Sequence, residues 1–173
     1  VLKVENLDDA ISASEKVMNT AFDLVLTQGK KLSETRLSSF NHFETGLIEL
    51  LSDLGMPDAA IAINHEIIEP TASGIDDIKI LFSANKGIAP QSLKSAASGG
   101  EFSRLMFAIK YILADKTALP TIVFDEIDTG VSGEIAIQMA QMMEKMATNH
   151  QVIAITHLPQ IAAKGKAHYF VYK

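Results

Sequence analysis

The sequence holds no cysteine. That removes disulfides and thiolate metal sites, and it accords with a reducing interior. No apolar run approaches the ~20 residues that a membrane-spanning helix needs, so a membrane is not expected as a partner. The start, Val1-Leu2-Lys3-Val4-Glu5, lacks the charged residues followed by an apolar stretch that mark a cleavable signal. A basic excess is missing too. Fifteen Lys/Arg oppose 21 Asp/Glu for a net charge of −6; up to Pro57 the count is five against nine. A large nucleic-acid footprint is therefore not expected on this chain, and the basic surface of any DNA-binding parent would be local or lie elsewhere. There is no internal repeat and no low-complexity tract. What is present is 47% hydrophobic residues in a length of 173, enough for one domain with a core, or for a domain plus a helical appendage. The opening on Val1, directly into helical sequence, leads us to expect a piece of something longer.

Residues 6–28 predict a helix, with Leu7, Ile11, Met18, Ala21 and Val25 recurring at helical spacings. Asn6 or Asp8 is placed to cap it. Gly29 predicts an interruption. A second helical pattern runs from about Leu32 through Leu37, Phe40, Leu47, Leu50 and Leu54 to Gly55-Met56-Pro57. These are either two amphipathic helices packed on a globular body or the base of a coiled coil leaving it. The expected organisation is a helical arm over 1–56 and a second part over 57–173.

After Pro57 the β-rich runs 59–68 and 75–83, separated by Pro70 and Gly74, predict an antiparallel pair. Residues 88–97 read as loop. The helical pattern from Gly99 to about Thr117 places Phe102, Leu105, Met106, Ile109 and Leu113 on one face. Strand 120–125, helix 133–147, strand 151–156, a short helix near 158–163 and a strand over 167–172 follow. Such alternation predicts an α/β fold with parallel strands and crossover helices.

Three places carry chemistry. Ser98-Gly99-Gly100-Glu101 opens a helix: paired glycines let backbone approach a ligand, and the helix start directs N–H groups and a positive dipole end at a phosphate. The alternative is an ordinary Ser cap. Asp125-Glu126 follow Thr121-Ile122-Val123-Phe124, a run expected to be buried on both faces. Ligands of open α/β sheets bind at that strand end, where one carboxylate can hold Mg²⁺ and its neighbour polarise a water. A solvated acidic turn is the plainer alternative. His157 ends the apolar run Val152–Thr156, where an imidazole can meet a terminal phosphate or be a simple loop residue.

In order and spacing these elements resemble the C-terminal half of an ABC-type ATPase head. The stretches Leu81–Gly87, Ala97–Arg104, Phe124–Gly133 and Thr156–Gln160 are similar to the RecN family of SMC-like proteins in bacterial recombination and repair. Asp-Thr-Gly-Val-Ser-Gly and His-Leu-Pro-Gln set that family apart from SMC proteins and ABC transporters. The resemblance covers about residue 50 to the end, with 6–54 similar to the family's coiled-coil base. It implies that Ser98, Gly99, Gly100 and Glu101 form the signature motif touching ATP held by the other head of a homodimer. It further implies that Asp125 acts on Mg²⁺, that Glu126 is the general base, and that His157 is the switch histidine. The turn 128–133 would be the D-loop at the dimer seam, with Ser132 where transporters commonly carry Asp. A cytoplasmic, nucleoid-associated protein that meets DNA through its full length is implied as well. The remaining readings are another SMC-like or ABC head, or a non-catalytic dimerisation module.

One part of such a head is lacking. A P-loop needs Gly-x-x-x-x-Gly-Lys-Ser/Thr, and the pairs Gly29-Lys30 and Gly165-Lys166 are followed by Lys31 and Ala167. The expectation is that an N-terminal half carries the P-loop, and that this chain alone is inactive.

Overall fold

A computed structural model describes residues 2–93, 99–114, 116–117, 119–131 and 133–172, with side chains from residue 7 onward. Helix α1 (Leu2–Asp53) runs through Gly29 without a break, where the sequence predicts an interruption. The reason lies in packing. Gly29 is buried, and a Cβ there would come within 2.8 Å of Ile75 Cγ2. The glycine admits a close neighbour, and the ~1 kcal/mol it costs relative to alanine in a helix does not end so long an element. The stop comes at Gly55, in the left-handed region at φ +79. There the Gly55 N–H donates to Ser52 O at 3.0 Å and the Met56 N–H to Leu51 O at 2.9 Å, the paired bonds of a Schellman cap.

Strands β1 (Ala60–Thr71) and β2 (Gly74–Ser83) form the expected pair. The loop expected over 88–97 contains a two-residue strand, β3 (Gln91–Ser92), antiparallel to β2 through Leu81–Ser92 and Phe82–Gln91. Helix α2 (Gly99–Ala114), strand β4 (Thr121–Asp125), helix α3 (Gly133–Met146), strand β5 (Gln151–Ile155) and helix α4 (Pro159–Ala162) follow. β4 and β5 are parallel, with Asp125 paired to Ile155.

The chain divides into two compact units, residues 1–41 with 64–79 and residues 42–63 with 80–173. In the first, Leu7, Ile11, Met18 and Val25 of α1 are exposed. Its polar centre is Asp76, whose carboxylate is closed to solvent. Asp76 accepts from Arg36 Nη1 at 2.6 Å and from His65 Nε2 at 2.7 Å. Phe40 meets the His65 ring edge-on, with centroids 6.1 Å apart.

In the second unit Leu47, Leu51, Phe82, Phe107, Phe124 and Met139 are fully buried. Phe107 and Phe124 lie tilted, their centroids 5.2 Å apart. Two sequence expectations need correction here. β4 is buried on one face only: Ile122 and Phe124 point inward while Val123 is exposed, as are Ile153 and Ile155 of β5. Side chains alternate across a strand, and only one face of the pair is covered by described residues. The inward face of α2 is rotated as well, with Leu105, Phe107 and Ala108 buried and Phe102 and Leu113 exposed. The strand expected at 167–172 is not formed among the described residues, and Tyr169 to Tyr172 stand in solvent. Aromatic and β-branched residues favour a strand only where a ladder partner receives them. No helix among the described residues is long and apolar enough to cross a membrane.

Candidate functional site

The parallel register decides the geometry. Because Asp125 sits opposite Ile155, the acidic doublet and the Thr156-His157 turn leave the sheet side by side, at the C-terminal ends of both strands. The Glu126 N–H donates to Ile155 O at 3.0 Å, extending the ladder one residue past β4. Glu126 is the one non-glycine residue at positive φ (+45) among those described, a conformation costing about 1–3 kcal/mol. Its carbonyl accepts from Thr129 twice, from Oγ1 at 2.9 Å and from the amide at 3.3 Å. The side chains of Asp125 and Glu126 are both exposed.

That turn reaches two neighbours. On one side it meets the start of α2, where a Cβ on Gly100 would stand 3.0 Å from Thr129 O. Glycine at 100 thus admits the close approach of another backbone, which a Cβ would crowd. On the other side Asp128 points inward, 1% exposed, and accepts a short hydrogen bond from Thr156 Oγ1. The Thr156 hydroxyl in turn accepts from the Leu158 N–H at 3.0 Å. Nδ1 of the exposed His157 ring lies 3.6 Å from Asp128 Oδ2. The turn therefore links the first residues of α2 to the imidazole loop.

Gly99, Gly100 and Glu101 form the first turn of α2, and Glu101 is half-buried. Ser98 lies outside the described residues, as does Ser132. Gly29-Lys30 belongs to the middle of α1, and Gly165-Lys166 follows α4, so neither is a phosphate-binding loop. Sequence reading missed Asp128 as an inward residue. It also assigned nothing to His65, which the structure places on Asp76. Three buried side-chain atoms have no hydrogen-bond partner among the described residues: Arg104 Nε, Asp128 Oδ1 and Gln160 Oε1. They fall in the three segments that follow the glycine pair, the acidic doublet and the histidine.

No cluster of three metal-ligating side chains occurs among the described residues. Two exposed carboxylates at a strand end suit Mg²⁺, which takes one or two carboxylates together with substrate phosphates instead of a full protein cage.

No model of a protein family matches the chain. The DNA repair protein RecN of Rickettsia conorii is 44% identical over 142 residues, covering 82% of this chain and 26% of that protein. The DNA repair protein RecN of Xylella fastidiosa is 35% identical over 176 residues, covering 100% of this chain and 32% of that protein. The chain belongs to the RecN family. It spans about a quarter to a third of the length of these RecN relatives, as a C-terminal part would. The Smc head domain with a coiled coil and joint from Pyrococcus yayanosii superposes with a TM-score of 0.66 at 17% identity, covering 95% of this chain and 30% of that one. A structure described for ATP-driven dimerization and DNA stimulated activation of SMC ATPases gives 0.51 at 20% identity, over 77% of this chain and 78% of that one. At these identities the likeness is one of fold, and the chain carries the α/β fold of an SMC-type head.

Proposed function

We propose that this chain supplies one side of a composite ATP site to a longer RecN-type protein that works in DNA double-strand-break repair. The observation that carries the reading is the β4–β5 register, which sends the acidic doublet and the imidazole out from one sheet edge. Kinship to RecN and the SMC-head fold support it.

In this reading Gly99, Gly100 and Glu101, with Ser98, present the start of α2 to the γ-phosphate of a nucleotide bound to a second head. The backbone N–H groups and the dipole of a helix start favour such a charge. Glu126 accepts a proton from the attacking water, and its fixed backbone leaves the side chain to aim. His157 hydrogen-bonds the terminal phosphate or the water. Asp125 would hold Mg²⁺, which when bound neutralises charge on the phosphate oxygens. The cradle for the β- and γ-phosphates is a P-loop on a segment outside this chain. Hydrolysis then requires two heads, and DNA is met by the full-length protein in the cytoplasm at the nucleoid.

The test is Glu126→Gln in the longer protein. We expect hydrolysis to fall at least ~10²-fold, the usual size of a general-base effect, with ATP-bound heads accumulating as a dimer in light scattering. Normal turnover refutes the role. The chain alone should show negligible ATPase activity; activity abolished by Glu126→Gln would contradict the need for a second half.

A further inference from the structure

We infer that Asp128 is a positioning residue that holds His157 in one tautomer and orientation, so that the ring presents Nε2 to the reacting phosphate. This rests on the reading of His157 given under Proposed function. The inference starts from an imbalance in how Asp128 is satisfied. A carboxylate buried to 1% exposure carries a desolvation penalty of several kcal/mol unless hydrogen bonds compensate it. Asp128 receives a single side-chain bond, from the Thr156 hydroxyl to Oδ2, and its Oδ1 has no partner among the described residues. Oδ2 has a second acceptor site beyond the one Thr156 uses, and the His157 Nδ1 stands 3.6 Å from that same oxygen.

At 3.6 Å the pair is just outside hydrogen-bond range, and catalytic hydrogen bonds are commonly long until substrate arrives. The surroundings are built for that closure. Thr156 Oγ1 donates to Asp128 and accepts from the Leu158 N–H at 3.0 Å, so one hydroxyl pins the backbone on both sides of His157 and anchors it to the carboxylate. Asp128 is itself fixed by the turn in which the Val131 N–H donates to its carbonyl at 3.0 Å. A carboxylate has no proton to give, so it selects the imidazole with hydrogen on Nδ1. Nε2 then lies at the far edge of a ring that is 68% exposed. An aspartate oriented this way acts through the histidine and does not touch substrate.

The experiment uses the longer protein and two readouts. Asp128→Asn can place its NH₂ where Oδ2 stands, facing both Thr156 Oγ1 and Nδ1, and a donor there favours the opposite tautomer. We expect kcat for ATP to fall roughly 10²-fold or more with KM within about twofold, as loss of tautomer control does elsewhere. The ¹⁵N signals of His157 should move from the Nδ1–H to the Nε2–H pattern. Should Asp128→Asn fail to fold, Thr156→Val and Thr156→Ser decide: valine is expected to lower kcat, and serine, which keeps the hydroxyl, to recover it. Wild-type kcat and unchanged His157 signals in Asp128→Asn overturn the inference, as does equal activity of the two Thr156 variants. If Glu126→Gln abolishes turnover while the Asp128 and Thr156 variants do not, this inference fails and the proposed function stands. Turnover surviving Glu126→Gln defeats the proposed function itself.

Discussion

Arg36 Nη1 donates to Asp76 Oδ2 at 2.6 Å, joining α1 to β2 within the first unit through a carboxylate that solvent does not reach. Hydrogen bonding from Ser33, then from His65 and Arg36, outweighs desolvation and holds Asp76 at a pKa of about 2, against an ordinary 3.8. A lowered folded-state pKa stabilises the fold above the ordinary value, and that contribution is lost as pH falls through the folded pKa. The thermal midpoint should therefore drop between about pH 4 and pH 2. Asp76→Asn should lower the midpoint at pH 6 and flatten the acid slope. Circular dichroism melts of both proteins across that range check it; identical slopes would remove Asp76 from the account.

The single covered face of β4 separates two neighbouring residues. Phe124 is fully buried against Phe107, whereas Val123 is 47% exposed. Phe124→Ala is expected to cost this chain ~3–5 kcal/mol, and Val123→Ala to stay within ~0.5 kcal/mol. Urea denaturation of the two variants measures the contrast, and comparable losses would mean that both faces are packed.

Gly100 faces a backbone oxygen, not a yielding side chain. Alanine there would place Cβ 3.0 Å from Thr129 O, so the turn or the start of α2 must shift by a few tenths of an ångström. In the longer protein Gly100→Ala should slow ATP hydrolysis roughly tenfold or more, since small misplacements weigh heavily on positioned groups. Steady-state kinetics test this, with a melt to verify folding. Gly46, in α1 away from the candidate site and with nothing within 4 Å of its Cβ position, is the control for the substitution itself.

The alternation of strand and helix after Gly99 was legible because each apolar run is short and ends abruptly. Ile122-Val123-Phe124 stops at two carboxylates and Val152–Ile155 stops at Thr156-His157, so a parallel pair with these residues leaving at one edge followed from the pattern. Gly29 misled because its cost is local while its use depends on Ile75, far along the chain. Asp128 was hidden for a similar reason: a third carboxylate after a strand reads as a wet turn until Thr156, 28 residues later, is seen to reach it. How many faces of β4 are covered is also not written in β4. That depends on what other segments lay across it.

Glu126 is gripped at both of its peptide groups, by Ile155 on one side and Thr129 on the other. What freedom it keeps lies in its side-chain torsions, which for an exposed residue interconvert in picoseconds to nanoseconds. Reorienting the carboxylate is thus a fast event, and in the proposed ATP cycle the tempo would be set by slower events than the swing of that side chain.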